Sequence, residues 1–214
     1  MKSKLELEII FSTFEKNNKN PRTELYYKSG FELLTSVMLS AKAKDKVVNK
    51  ATKKLFVLAN TPKKMLALGE ENLKNHIKTI GLFNNKAKNI ISTCRILIDK
   101  YNSKIPSSRS ELQSLPGVGK KTASVILNIL FKKNTIPVDT HVFRLVNRIG
   151  IYEEKNLNKL EDILVKIIPV KYRKQAHFFL VDHGKKTCKS RNPACFRCEI
   201  SKYCDFFNNK KNKL

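Results

Sequence analysis

Leu115-Pro116-Gly117-Val118-Gly119-Lys120-Lys121-Thr122 is the stretch on which the reading of this chain turns. Apolar residues at helical spacing precede and follow it, so it reads as a glycine hairpin between two helices. Gly117 and Gly119 are expected to let the backbone turn and approach a partner closely. The second helix would then open with unsatisfied N–H groups, which suit a phosphate. Lys121 stands at that same helix start. A helix N-terminus disfavours an ammonium, and Lys120 beside it adds like-charge repulsion. Both favour the neutral amine that a nucleophilic lysine needs. Phosphate binding and amine chemistry are therefore read at one place.

Outward from the hairpin, helical patterns dominate. Lys86 to Tyr101 carries the stripe Ile90, Ile91, Cys94, Leu97 and Ile98. Thr61-Pro62 starts a short helix with proline at its first position. Ser108 and Glu111 are expected to form a capping box ahead of the hairpin. Lys4 to Phe14 suits an amphipathic helix, and Glu6 and Glu8 inside it argue against a signal peptide. Only Thr135 to Val138 reads as extended. No alternating strand pattern and no internal repeat is visible, so the fold class is all-α.

The chain has 214 residues, of which 41% are hydrophobic, enough for one large or two small packed domains. Its 43 Lys and Arg against 18 Asp and Glu leave a formal charge of +25, which points to a polyanionic partner, nucleic acid first. No run approaches the length of a membrane span. An intracellular monomer without structural disulfides is expected.

Four of the five cysteines, Cys188, Cys195, Cys198 and Cys204, fall within one short segment. Four thiolates so close in sequence can close one metal site, and the single Cys-x-x-Cys pair flanked by longer arms leaves zinc and a four-iron cluster both open. Lys189 and Arg191 lie inside this loop, where a metal staple would present them rigidly to phosphates. Cys94 lies on the apolar stripe of its own helix and reads as a core residue.

Together with Leu39-Ser40-Ala41, Gly81-Leu82-Phe83-Asn84 and Pro137-Val138-Asp139-Thr140-His141, the hairpin and the cysteine spacing resemble the endonuclease III family. These are helix-hairpin-helix DNA glycosylases that also cleave abasic sites. The resemblance covers nearly the whole chain. It implies two helical domains with DNA bound across the cleft between them. Residues 22–133 would form a helical barrel with the hairpin, and residues 1–21 with 134–207 a second domain holding one [4Fe-4S] cluster on Cys188, Cys195, Cys198 and Cys204. Residues 208–214 are expected to be a disordered tail. It further implies Lys121 as nucleophile and Asp139 as catalytic carboxylate, with Asp139 also capping its helix. The partner would be duplex DNA with damaged pyrimidines or abasic sites.

The resemblance also implies DNA contacts at Lys42, Leu82, Gly117, Gly119, Lys120, His141, Lys189 and Arg191. Leu82 matches the residue that wedges into the duplex where the base has left. Lys42 departs from the family pattern, which places glutamine there opposite the orphaned base. A lysine donates hydrogen bonds but accepts none, so readout of the opposite base is expected to differ. Two other readings stand beside the leading one. An adenine-type monofunctional glycosylase would lack the lysine at 121. A non-catalytic DNA-binding module would need neither Lys121 nor Asp139.

Overall fold

A computed structural model describes residues 1–211. Twelve α-helices form, and no strand occurs among the described residues. In chain order they are α1 (Lys4–Asn17), α2 (Gly30–Ser40), α3 (Asp45–Leu58), α4 (Pro62–Leu68), α5 (Glu70–Ile77) and α6 (Phe83–Tyr101). There follow α7 (Arg109–Gln113), α8 (Lys120–Phe131), α9 (Thr140–Ile149), α10 (Leu157–Ile167), α11 (Arg173–Lys186) and α12 (Asp205–Lys211). The chain divides into two compact units, one of residues 24–132 and one of residues 1–23 with 133–214.

The 24–132 unit packs α2 to α8 around a core that includes Leu33, Leu39, Val48, Leu55, Met65, Leu73, Ile77, Leu97 and Ile126. Helix α2 is buried from Phe31 through Leu39, which accounts for its nearly unbroken apolar sequence. Thr61 caps α4 as expected, its hydroxyl accepting from the Lys64 N–H at 3.2 Å, with Pro62 at the first turn. Helix α6 begins three residues earlier than its apolar stripe predicts, because Leu82 takes up the N-cap position in a left-handed conformation, φ 62°. Ser108 caps α7 through the Glu111 N–H, but the capping box is not closed: the Glu111 carboxylate bonds the Ser108 hydroxyl rather than its N–H.

Cys94 lies in this core with no exposed surface. Burial pushes its thiol up from 9.0 to about 12. The native state therefore keeps the thiol neutral where the unfolded chain would release its proton. This contribution is complete below pH 9, is lost progressively as pH rises toward 12, and is on the order of a few kcal/mol. Denaturant melts across that window should show a steeper alkaline loss of stability for the wild type than for Cys94→Ala.

The other unit joins α1 to α9–α12 around Leu7, Ile10, Phe11, Val142, Leu145, Leu160, Leu164 and Tyr172. Ser3 and Glu6 close a full capping box at the start of α1. Helix α9 ends at Gly150, φ +83°, where a Cβ would land on the Asp205 carboxylate. Disorder was expected from Asn208, and here the structure differs. Asn208 to Lys211 continue α12, while residues 212–214 lie outside the described residues. The helix holds because Asp205 in its first turn pairs with Lys2 at 2.6 Å, and Phe206 and Phe207 pack on the core. An Asn/Lys-rich composition does not reveal partners supplied by the chain start.

Candidate functional site

The hairpin is fixed from three sides. Arg109 of α7 donates to the Ser124 hydroxyl of α8 at 2.6 Å, and that hydroxyl donates to the Lys120 carbonyl at 2.9 Å. Thr93 of α6 donates to the Pro116 carbonyl at 3.1 Å. Gly117 sits at φ +79° against Asn89, whose amide nitrogen would lie 2.8 Å from an added Cβ. Glycine is required there for conformation and for space. Gly119 is different from the expectation. Its backbone is extended, φ −84° and ψ 179°, and a Cβ there would meet nothing within 4 Å. Its smallness serves no internal turn; it leaves open room in front of α8, and no side chain caps that helix. Lys120 is half-buried and Lys121 exposed in this first turn.

Two further predicted contact residues lie in the same unit. Lys42 and Leu82 are both left-handed, φ 54° and 62°, and both are exposed. For non-glycine residues this conformation costs about 1–2 kcal/mol each.

Asp139 belongs to the other unit and is half-buried. Its Oδ1 accepts from the His141 and Val142 N–H groups, each at 2.9 Å, so it caps α9. The bond from His177 Nδ1 to the Pro137 carbonyl, 2.7 Å, steadies the segment that leads into it. The His141 ring faces Arg144, with Nδ1 at 3.1 Å from Nη2.

The four cysteines come together. Cys188, Cys195, Cys198 and Cys204 line one pocket with His183, Ile149, Ile200, Phe206 and Phe207. Among the described residues no group of three or more His, Cys, Asp or Glu side chains is placed to hold a metal ion. Burial pushes the Cys198 thiol up to about 11 and raises that of Cys204. Buried thiols without a cation are proton-holding groups, and a bound metal would deprotonate them. Four cysteines lining one largely apolar pocket are, in their chemistry, a donor set that a thiolate-held metal group would use.

Residues that sequence reasoning passed over hold this loop. Arg144 donates to the Cys188 carbonyl from Nε (3.2 Å) and Nη2 (3.1 Å). Arg148 donates to the Lys189 carbonyl (2.8 Å) and the Ser190 carbonyl (2.9 Å), and reaches the Cys188 sulfur at 3.6 Å. The loop backbone is thereby pinned while Lys189 and Arg191 remain exposed. His183, which carried no sequence signal, lies 3.5 Å from the Cys198 sulfur and packs on Phe14. Burial lowers its pKa to about 4, which keeps it neutral. The only available hint was that Arg144 and Arg148 stand one turn apart on α9.

Residues 35–170 match the family model described as HhH-GPD superfamily base excision DNA repair protein. The chain is 50% identical over 210 residues to endonuclease III of Buchnera aphidicola subsp. Schizaphis graminum, covering 98% of this chain and 100% of that protein. The chain belongs to the endonuclease III family. Endonuclease III of Escherichia coli K12 is 49% identical over 197 residues, 92% of this chain and 93% of that one. A solved structure described as a non-covalent endonuclease III–DNA complex superposes with a TM-score of 0.92 at 37% identity, covering 99% of this chain and all of that one. A second, described as a trapped endonuclease III–DNA covalent intermediate in an estranged-adenine complex, matches equally, TM-score 0.92. The endonuclease III fold thus extends over essentially the whole chain, and no helix of the described residues is long and apolar enough to cross a membrane.

Proposed function

We propose that this protein excises oxidised pyrimidines from duplex DNA and then cuts the strand at the resulting abasic site. Membership of the endonuclease III family, with a lysine at 121 in the first turn of α8, is the observation that carries the reading. A monofunctional glycosylase has no use for an amine nucleophile there.

The damaged nucleotide leaves the stack before chemistry, since its C1′ is otherwise out of reach. The open N-terminus of α8 and the backbone around Gly117 and Gly119 bind a phosphate, and Lys120 adds a cationic contact. Lys121 Nζ attacks C1′. The C1′–base bond breaks, and the base departs with a proton. Opening of the sugar ring leaves a protonated Schiff base. This acidifies C2′, whose proton is lost as the bond to the 3′ phosphate breaks, giving β-elimination. Asp139, held by two N–H groups, opposes the positive charge that develops on the sugar. Leu82 fills the space that the base vacates. Lys42 donates to the orphaned partner base, and His141, Lys189 and Arg191 contribute DNA contacts.

Cys188, Cys195, Cys198 and Cys204 are proposed to hold one [4Fe-4S] cluster. A single zinc ion would also be satisfied by four thiolates, and it is membership of the endonuclease III family that favours the four-iron cluster. When bound, the cluster supplies a covalent staple for the Lys189–Arg191 loop. Purified protein is expected to carry four irons per chain and to absorb broadly in the visible; a colourless protein with one zinc would contradict this.

The functional reading is tested on a duplex with one oxidised pyrimidine. Released base together with an unsaturated aldehyde 3′ end supports it. An intact abasic strand would assign a monofunctional enzyme, and tight binding without base release a binding module.

A further inference from the structure

Lys86 is a lysine with 8% of its surface exposed, in the first turn of α6. Among the described residues no carboxylate is a partner of its ammonium. It donates instead to two backbone carbonyls, Leu39 at 2.8 Å and Ala41 at 2.7 Å. These carbonyls end α2, where the helix leaves acceptors without helical partners and its dipole favours a cation. Burial lowers the pKa of Lys86, so the contact holds against a desolvation cost.

Its position is what gives this contact a consequence. Ala41 immediately precedes Lys42, and the Ala43 N–H closes a turn back to the Ser40 carbonyl at 3.0 Å. The Lys86 N–H in turn bonds the Leu82 carbonyl at 3.1 Å, the first helical bond of α6. One residue therefore holds the Lys42 turn with its side chain and Leu82 with its backbone. Both held residues are exposed, left-handed and not glycine. Such conformations persist only where neighbouring contacts over-determine them.

We propose that Lys86 is a positioning residue that clamps the Lys42 turn to the Leu82 helix start, so that wedge insertion and contact with the opposite base operate as one rigid device. This rests on the reading that Lys42 and Leu82 enter the duplex. The clamp matters when a base must be extruded. It matters less to β-elimination at an abasic site, where no damaged base has to be extruded before the sugar is reached, although the base opposite is still contacted there.

The test compares the wild type with Lys86→Met in the full-length holoenzyme. Base opening is read from 2-aminopurine placed opposite a tetrahydrofuran abasic analogue. Single-turnover base release is compared with β-elimination at a preformed abasic site. The expected result is a loss of most of the 2-aminopurine enhancement and about tenfold slower base release, with β-elimination within about threefold of wild type. Equal losses in both reactions, or no change in fluorescence and base release, would overturn the proposal. A wild type that releases no base would sink the functional reading instead, and the fluorescence comparison would still decide the role of Lys86. Should Lys86→Met not fold, hydrogen exchange of the wild type decides. The Ala43 and Lys86 amides are expected to share one opening free energy, and independent opening would overturn the clamp.

Discussion

Lys121→Ala is expected to lose base release and strand cleavage together, by roughly four to six orders of magnitude. One amine makes the bond to C1′ in the first step and activates C2′ in the second, so neither step survives alone. DNA affinity should remain within a few-fold, because the phosphate site is built from the backbone of the hairpin, which Arg109, Ser124 and Thr93 fix without Lys121. Stability should change by no more than about 0.5 kcal/mol, since the side chain is exposed. Lys120→Ala should do the reverse. It removes a cationic contact, weakens binding on all sequences, and lowers the salt slope by about one ion. Single-turnover rates and salt-dependent binding on the same duplex separate the two lysines.

Asp139 has two duties, and two substitutions should divide them. As N-cap it accepts from His141 and Val142, both at 2.9 Å. Asn caps as well as Asp does, so Asp139→Asn should leave the melting temperature nearly unchanged while base release slows by about 10²–10⁴-fold. Asp139→Ala should lose the same activity and also about 1 kcal/mol of stability, or about 2–4 °C for a chain of this size. Equal melting losses in both variants would show that the carboxylate acts mainly through structure. An Asn variant of full activity would remove Asp139 from the chemistry.

The helices were legible because their apolar residues repeat at helical spacing and their starts carry explicit signals. Thr61-Pro62 needs no tertiary information. The boundaries that failed are those set by tertiary contact. Leu82 starts α6 without a capping side chain, and α12 is held by Lys2 from the opposite end of the chain. Gly119 was read as a conformational glycine because a pair of glycines suggests a turn, yet only Gly117 has a positive φ. The cysteine set was visible as a set, while Arg144 and Arg148, which hold its loop from a distant helix, were not. Lys86 carried an unused signal. It stands at the head of the stripe Lys86, Ile90, Cys94 and Leu97, all buried, and a lysine on a buried stripe calls for dedicated acceptors.

Base release and strand cleavage both depend on an amine at one position forming a bond to deoxyribose. Borohydride reduction during reaction with an abasic duplex, followed by peptide mapping of the adduct, tests this most directly. The expected result is a single adduct on Lys121 in the wild type, retained in Lys120→Ala and absent from Lys121→Ala. An adduct that survives Lys121→Ala, or a wild type that binds the duplex with its metal loop intact and traps nothing, would contradict it.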